Sequence, residues 1–112
     1  MDHYAFRVEA SVSFDGFRRQ SPALPGYRPN LFVGGEYFVC EVKRMEPYGR
    51  FEHGQSGKIE MWIIVPDDRR ERFVKGASFE LREVPDRVAG GMIECILEVK
   101  KIEPDPGCDH MP

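Results

Sequence analysis

The amino-acid sequence predicts an all-β domain, a barrel or a sandwich of about six short strands. Three observations carry that reading. Apolar and polar residues alternate at period two over long stretches, the pattern of strands with one buried face. Proline and glycine clusters interrupt those stretches where turns belong. Nowhere do apolar residues recur at i, i+3, i+4 and i+7 over three turns, as an amphipathic helix requires.

The first strand runs from Tyr4 to Phe14, with Tyr4, Phe6, Val8, Ala10, Val12 and Phe14 on one face, and Asp15-Gly16 ends it. Residues 16–30 hold Pro22, Pro25, Gly26 and Pro29 and form a loop, since proline fixes φ and removes a donor. A loop this long in a small domain is expected either to pack over the core or to carry function. Strands resume at Leu31–Val33 and, past Gly34-Gly35, at Tyr37–Met45 with Phe38, Cys40 and Val42 inward. Residues 47–57 are polar and glycine-rich, a turn or short excursion.

Lys58–Val65 is the strongest strand: Ile59, Met61, Ile63 and Val65 share one face, Trp62 and Ile64 the other, so part of it is expected to be covered on both sides. The charged run Asp67–Arg72 reads as a solvated hairpin end. Phe79 and Leu81 alternate with Glu80 and Arg82 before a turn at Pro85-Asp86. The last strand, Val88 to Ile102, is expected to bury Ile93, Cys95, Leu97 and Val99, with a bulge or close backbone approach at Gly90-Gly91. The chain thus reads as one domain over residues 1–103, containing the 16–30 loop, followed by a flexible tail at 104–112.

Composition narrows the function classes. With 41% hydrophobic and 31% charged residues among 112, the chain can bury a core of its own. No apolar run approaches the roughly 20 residues of a membrane span, and Met1-Asp2-His3 lacks the basic and apolar regions of a secretory signal. A net charge of −3 argues against a dedicated nucleic-acid binder. The three cysteines, Cys40, Cys95 and Cys108, fit no paired motif. Cys40 and Cys95 read as buried thiols acting as small hydrophobes, and a cytoplasmic location is expected.

Several segments together resemble the C-terminal barrel of elongation factor Tu. Gly26-Tyr27-Arg28-Pro29-Asn30-Leu31-Phe32 is similar to that family's GYRPQFYF segment, with Arg19-Gln20-Ser21-Pro22 at the place of its Arg-His-Thr-Pro. Gly76-Ala77-Ser78-Phe79-Glu80-Leu81-Arg82-Glu83 resembles GLRFAIRE, and Arg87-Val88-Ala89-Gly90-Gly91-Met92-Ile93 follows the T-V-G-A-G-V-V pattern. Between them, Gly57-Lys58-Ile59-Glu60-Met61 through Val65-Pro66 is similar to the family strand that ends in His-Pro. The resemblance spans about Tyr4 to Val99 in unbroken order. It implies a closed antiparallel barrel of six strands without an open edge.

The resemblance implies a barrel standing alone, without the family's GTPase domain. Gly54-Gln55-Ser56-Gly57-Lys58-Ile59 has Glu52 where a P-loop needs its first glycine and Ile59 where it needs Ser or Thr, so GTP binding by this chain is not expected. In the family this barrel touches the T stem of aminoacyl-tRNA. Arg19 matches the arginine beside the stem, Glu83 the acidic contact to the sugar backbone, and Asn30 replaces a glutamine. Val39, Val65 and Val84 stand where the family has a threonine, a basic or histidine residue and a glycine.

The candidate site residues are therefore Arg18, Arg19, Tyr27, Arg28, Asn30 and Glu83. Arginine forks suit phosphate or carboxylate, while Arg28 alternatively pins the loop to a barrel carboxylate. Phe17, Leu24 and Tyr27 form either a contact patch or a plug in the barrel end. Trp62 either packs under the loop or anchors a partner. The histidines His3, His53 and His110 lack a nucleophile at motif spacing, and Cys108-Asp109-His110 lacks further ligands. The expected function is a non-enzymatic module, without cofactor or metal, that engages a translation-linked protein partner through the 16–30 loop. The alternatives are a module for tRNA or another structured RNA, and an immunity-type or regulatory protein that blocks another protein's site.

Overall fold

The structure, a computed structural model, describes residues 2–18 and 21–103. Six strands form a closed antiparallel barrel: β1 His3–Ser13, β2 Asn30–Val33, β3 Glu36–Glu46, β4 Ser56–Pro66, β5 Ser78–Glu83 and β6 Asp86–Ile102, in the order β1-β4-β3-β2-β5-β6. The expected all-β fold and six-stranded closure are both present. No helix of the described residues is long and apolar enough to cross a membrane.

Alternation does what it predicted. Val8, Ala10, Ile59, Met61, Ile63, Val42 and Leu81 are fully buried, and no polar or charged residue among those described is buried. The β2–β3 hairpin turns through Gly34 and Gly35 at φ 58° and 84°, which matches the right-handed strand twist only if both turn residues accept positive φ. At Gly91 a Cβ would collide with the Ser11 carbonyl and approach the Phe79 ring to 2.6 Å. The glycine pair thus marks the close backbone approach expected there.

The strand order leaves two connections between strands that are not neighbours, and each crosses one end of the barrel. The β1–β2 segment, residues 14–29, crosses the end where β1 stops and β2 starts, and the β4–β5 segment, residues 67–77, crosses the opposite end. The second segment corrects one expectation. Asp67–Arg72 is a 3-10 helix on a barrel-crossing connection, not a hairpin end, because β5 pairs with β2 and β6 rather than with β4.

The last strand corrects another. Relative to β1, β6 slips twice, so that Arg7 faces Glu98 while Val8 faces Ile96, and Glu9 faces Cys95 while Ala10 faces Ile93. Leu97 and Glu94 are the extra residues of these bulges, and each bulge shifts the phase of the inward face. Ile93 is buried as expected, but Ile96, which is not among the residues expected inside, packs against the core. Leu97 and Val99 are about 40% exposed, Val99 although it stands opposite buried Phe6. Cys95 is exposed rather than a buried thiol, whereas Cys40 is buried. Cys108 and the expected tail at 104–112 lie outside the described residues, as does Arg19.

Candidate functional site

The loop that carries most of the predicted site is built into the barrel end. Phe14, just past β1, stacks on Phe51 with ring centroids 4.8 Å apart and meets Phe17 edge-on at 5.7 Å. All three rings are fully buried. Ala23 and Phe51 exchange backbone hydrogen bonds of 2.8 and 3.0 Å, Gly26 N–H donates to the Val42 carbonyl, and Val42 N–H donates to that of Tyr27. Phe17 therefore plugs the barrel rather than contacting a partner, while Leu24 stays 54% exposed. Phe51, from the polar 47–55 segment, is a core residue that no periodic neighbours announced in the sequence.

Four predicted residues sit around this end. Tyr27 packs its ring against Phe14 and Phe17 and donates its hydroxyl to Glu83 Oε2 at 2.6 Å, tying the loop to the end of β5. Arg18 is exposed and, with Gly16, Glu83, Asp86, Arg87 and Val88, lines a cleft of about 540 Å³. The cleft wall is braced by Arg87, which donates to Asp15 at 2.6 Å and approaches Glu80 at 3.3 Å. That guanidinium holds the Asp15 carboxyl below its ordinary value. Asn30, at the start of β2, approaches the Arg82 carbonyl at 3.5 Å, next to Glu83.

Arg28 lies on the barrel wall. It donates to Glu41 at 3.0 Å, which is the pinning role, yet its side chain remains 73% exposed. Glu41 also accepts from Lys43 at 2.7 Å, and it is Lys43 first, then Arg28, that lowers its pKa. Beside this pair Arg28, Val39, Cys40, Glu41, Trp62 and Ile64 line a groove of about 230 Å³. Trp62 is half-buried between its cross-strand neighbours Arg7 and Glu41, with the Arg7 guanidinium 5.9 Å from its ring. Val39 is 68% exposed.

This wall is a site the sequence signalled only weakly. Its apolar members alternate on the outer faces of β3 and β4, where a half-buried strand would be polar. Of the positions named for the resemblance, Val39 is on this wall and Val84 is exposed in the β5–β6 turn, but Val65 is fully buried inside the barrel. Burial sets the Cys40 thiol apart as well, pushing its pKa up to about 12, and its Sγ lies 3.4 Å from the Pro29 carbonyl oxygen. No group of His, Cys, Asp and Glu among the described residues could hold a metal ion. No protein-family model matches the chain, and neither does any curated protein.

Proposed function

We propose that the chain is a non-enzymatic protein-binding module whose contact surface runs from the loop-end cleft, over Arg28, to the Trp62 groove. The observation that carries this reading is the make-up of the wall: an apolar floor of Val39, Trp62 and Ile64 inside a rim of charges that already have partners. Arg7 is paired with Glu60 and Glu98, Arg28 with Glu41 and Arg82 with Glu80. An apolar centre holding an aromatic residue, with arginines at its edge, is the anatomy of a protein interface. A phosphate backbone would have to compete for those arginines with carboxylates of the same chain. The resemblance to the elongation factor Tu barrel makes translation-linked proteins the first partners to try, as an analogy of fold.

Arg18 favours a second reading. It has no ion pair among the described residues and faces the larger cleft, so it is a cation open to a phosphate of tRNA or another structured RNA. The experiment is affinity capture from a cell lysate with the unaltered chain and the variants Arg28→Glu, Val39→Asp and Arg18→Glu. Loss of one protein partner with the first two substitutions supports the module. Capture of RNA that disappears with Arg18→Glu and weakens steeply with rising salt supports the second reading. Capture unchanged by all three variants overturns the assigned surface.

A further inference from the structure

β6 is longer than closure of the barrel requires. β5 pairs with it from Asp86 to Met92, and the segment before β5 adds two hydrogen bonds at Ile93. From Glu94 to Ile102, among the described residues, β6 pairs with β1 alone, and one row of its backbone groups has no strand beside it. The closed barrel therefore has an open edge after all. Leu97, Val99 and Ile102, all on this stretch, are three of the ten exposed large hydrophobics among the described residues. An edge of this kind is a template for a further strand.

We propose that this edge pairs with the same edge of a second copy of the chain, antiparallel, about a two-fold axis at Val99. The argument is one of register. In a two-fold antiparallel pair the faces of the two strands match only when a residue stands opposite its own copy. Beyond the Leu97 bulge the regular stretch runs from Glu98 to Ile102. Since Ile102 is its last residue, with no strand beyond it among the described residues to pair, the centres it offers are Glu98, Val99, Lys100 and Lys101. Three of these would set a charge against its own like. The fourth puts Val99 against Val99 and, on both sides of the axis, Glu98 against Lys100. Glu98 and Lys100 share a face because their β1 partners, Arg7 and Ala5, stand two residues apart. Leu97 lies against Lys101, whose stem can cover it, and the bulge then ends the ladder. Five residues per strand make a small interface, so the dimer forms with rising concentration rather than as an obligate unit.

Sedimentation velocity of the full chain over a concentration series tests this. The unaltered chain is expected to shift from monomer toward dimer as concentration rises. Glu98→Lys and Lys100→Glu should each abolish the shift. The double variant E98K/K100E, made in an Arg7→Gln background because Arg7 is the partner of Glu98 within the chain, should restore it, since the two pairs re-form with signs reversed. A chain that stays monomeric throughout, a dimer that either single variant leaves intact, or a double variant that remains monomeric overturns the proposal. Hydrogen exchange on the unaltered chain gives a readout free of any folding defect. Protection that grows with concentration within residues 97–101 supports the proposal. Protection there that appears only on adding a different protein, or not at all, overturns it.

Discussion

The two ends of the barrel solve the same problem by different means. Each is crossed by a connection between strands that are not neighbours, and each must cover the open mouth of an apolar interior. The loop end does so with rings and backbone: Phe14, Phe17 and Phe51 form one cluster, and the 14–29 segment is tied to β3, to β6 and to the 47–55 segment by main-chain hydrogen bonds. The opposite end does so with one ring and a set of charges. Phe73 meets Phe38 edge-on at 4.9 Å and Phe6 at 5.8 Å. Above it Glu36 accepts 2.8 Å hydrogen bonds from both Arg69 and Arg72, while Arg70 lies 4.1 Å over the Tyr4 ring.

The difference matters because buried rings and exposed ion pairs respond to different things. Ring burial is insensitive to pH and salt. Ion pairs on a surface contribute little and are screened. The loop end can therefore hold Arg18, Arg28 and the cleft residues at its rim without relying on them for its own stability. The other end spends its arginines on holding the 3-10 helix in place.

The largest effect is expected from the rings. Phe14→Ala should cost about 3–5 kcal/mol in urea unfolding, as full truncation of a buried phenylalanine does. Phe73→Ala should fall at the lower end of that span, since Phe14 touches three rings and Phe73 two. The reverse order would break the distinction between the ends.

A smaller, pH-dependent effect is expected from the charges. Hydrogen bonding from Arg69, with Arg72 beside it, holds the Glu36 carboxyl below its ordinary value of 4.5. A depressed folded value means that the group stabilises the fold above about pH 4.5 and that this contribution is lost as pH falls further, through the folded value. Thermal melts of Glu36→Gln against the unaltered chain should differ at neutral pH, converge on acidification below 4.5 and converge again in high salt. Asp15→Asn at the loop end should converge only on going below 3.8, the ordinary value from which Arg87 lowers the Asp15 carboxyl. A gap indifferent to pH and salt would show that the two ends do not differ in this way.

The finest test concerns the thiols. In a Cys108→Ser background, a thiol reagent should modify Cys95 in the folded chain and reach Cys40 only on unfolding, because Cys40 is buried with its pKa raised to about 12. Equal reactivity of the two would contradict the slipped register of β6.

Much of this architecture was legible in the sequence, and the misses share a cause. Alternation, whose period of two is a local consequence of the pleat, located every strand but β2, which showed only as the apolar run Leu31–Val33. The arginines and Tyr27 of the loop were picked out by residue type, and Tyr27 and Glu83 do meet although 56 positions separate them. Phe51 and Phe73 escaped notice because each stands among polar or charged residues, and a single ring without periodic neighbours leaves no pattern. Leu97 and Cys95 read as inward because a bulge shifts the phase without changing composition, whereas Val99 does stand opposite buried Phe6 and is exposed because β6 outruns β5 there.

The sequence by itself determined the all-β class, the strand count, the position of the long loop and the identity of most core residues. All of these follow from local backbone preference and from which side chains leave water. Tertiary structure alone decided which strands are neighbours, and hence that two connections must cross the barrel ends. It also decided which isolated rings plug those ends, and that β6 outruns β5 and leaves an edge. These depend on pairings between residues far apart in the chain, where register and closure are set by the whole sheet rather than by any one segment.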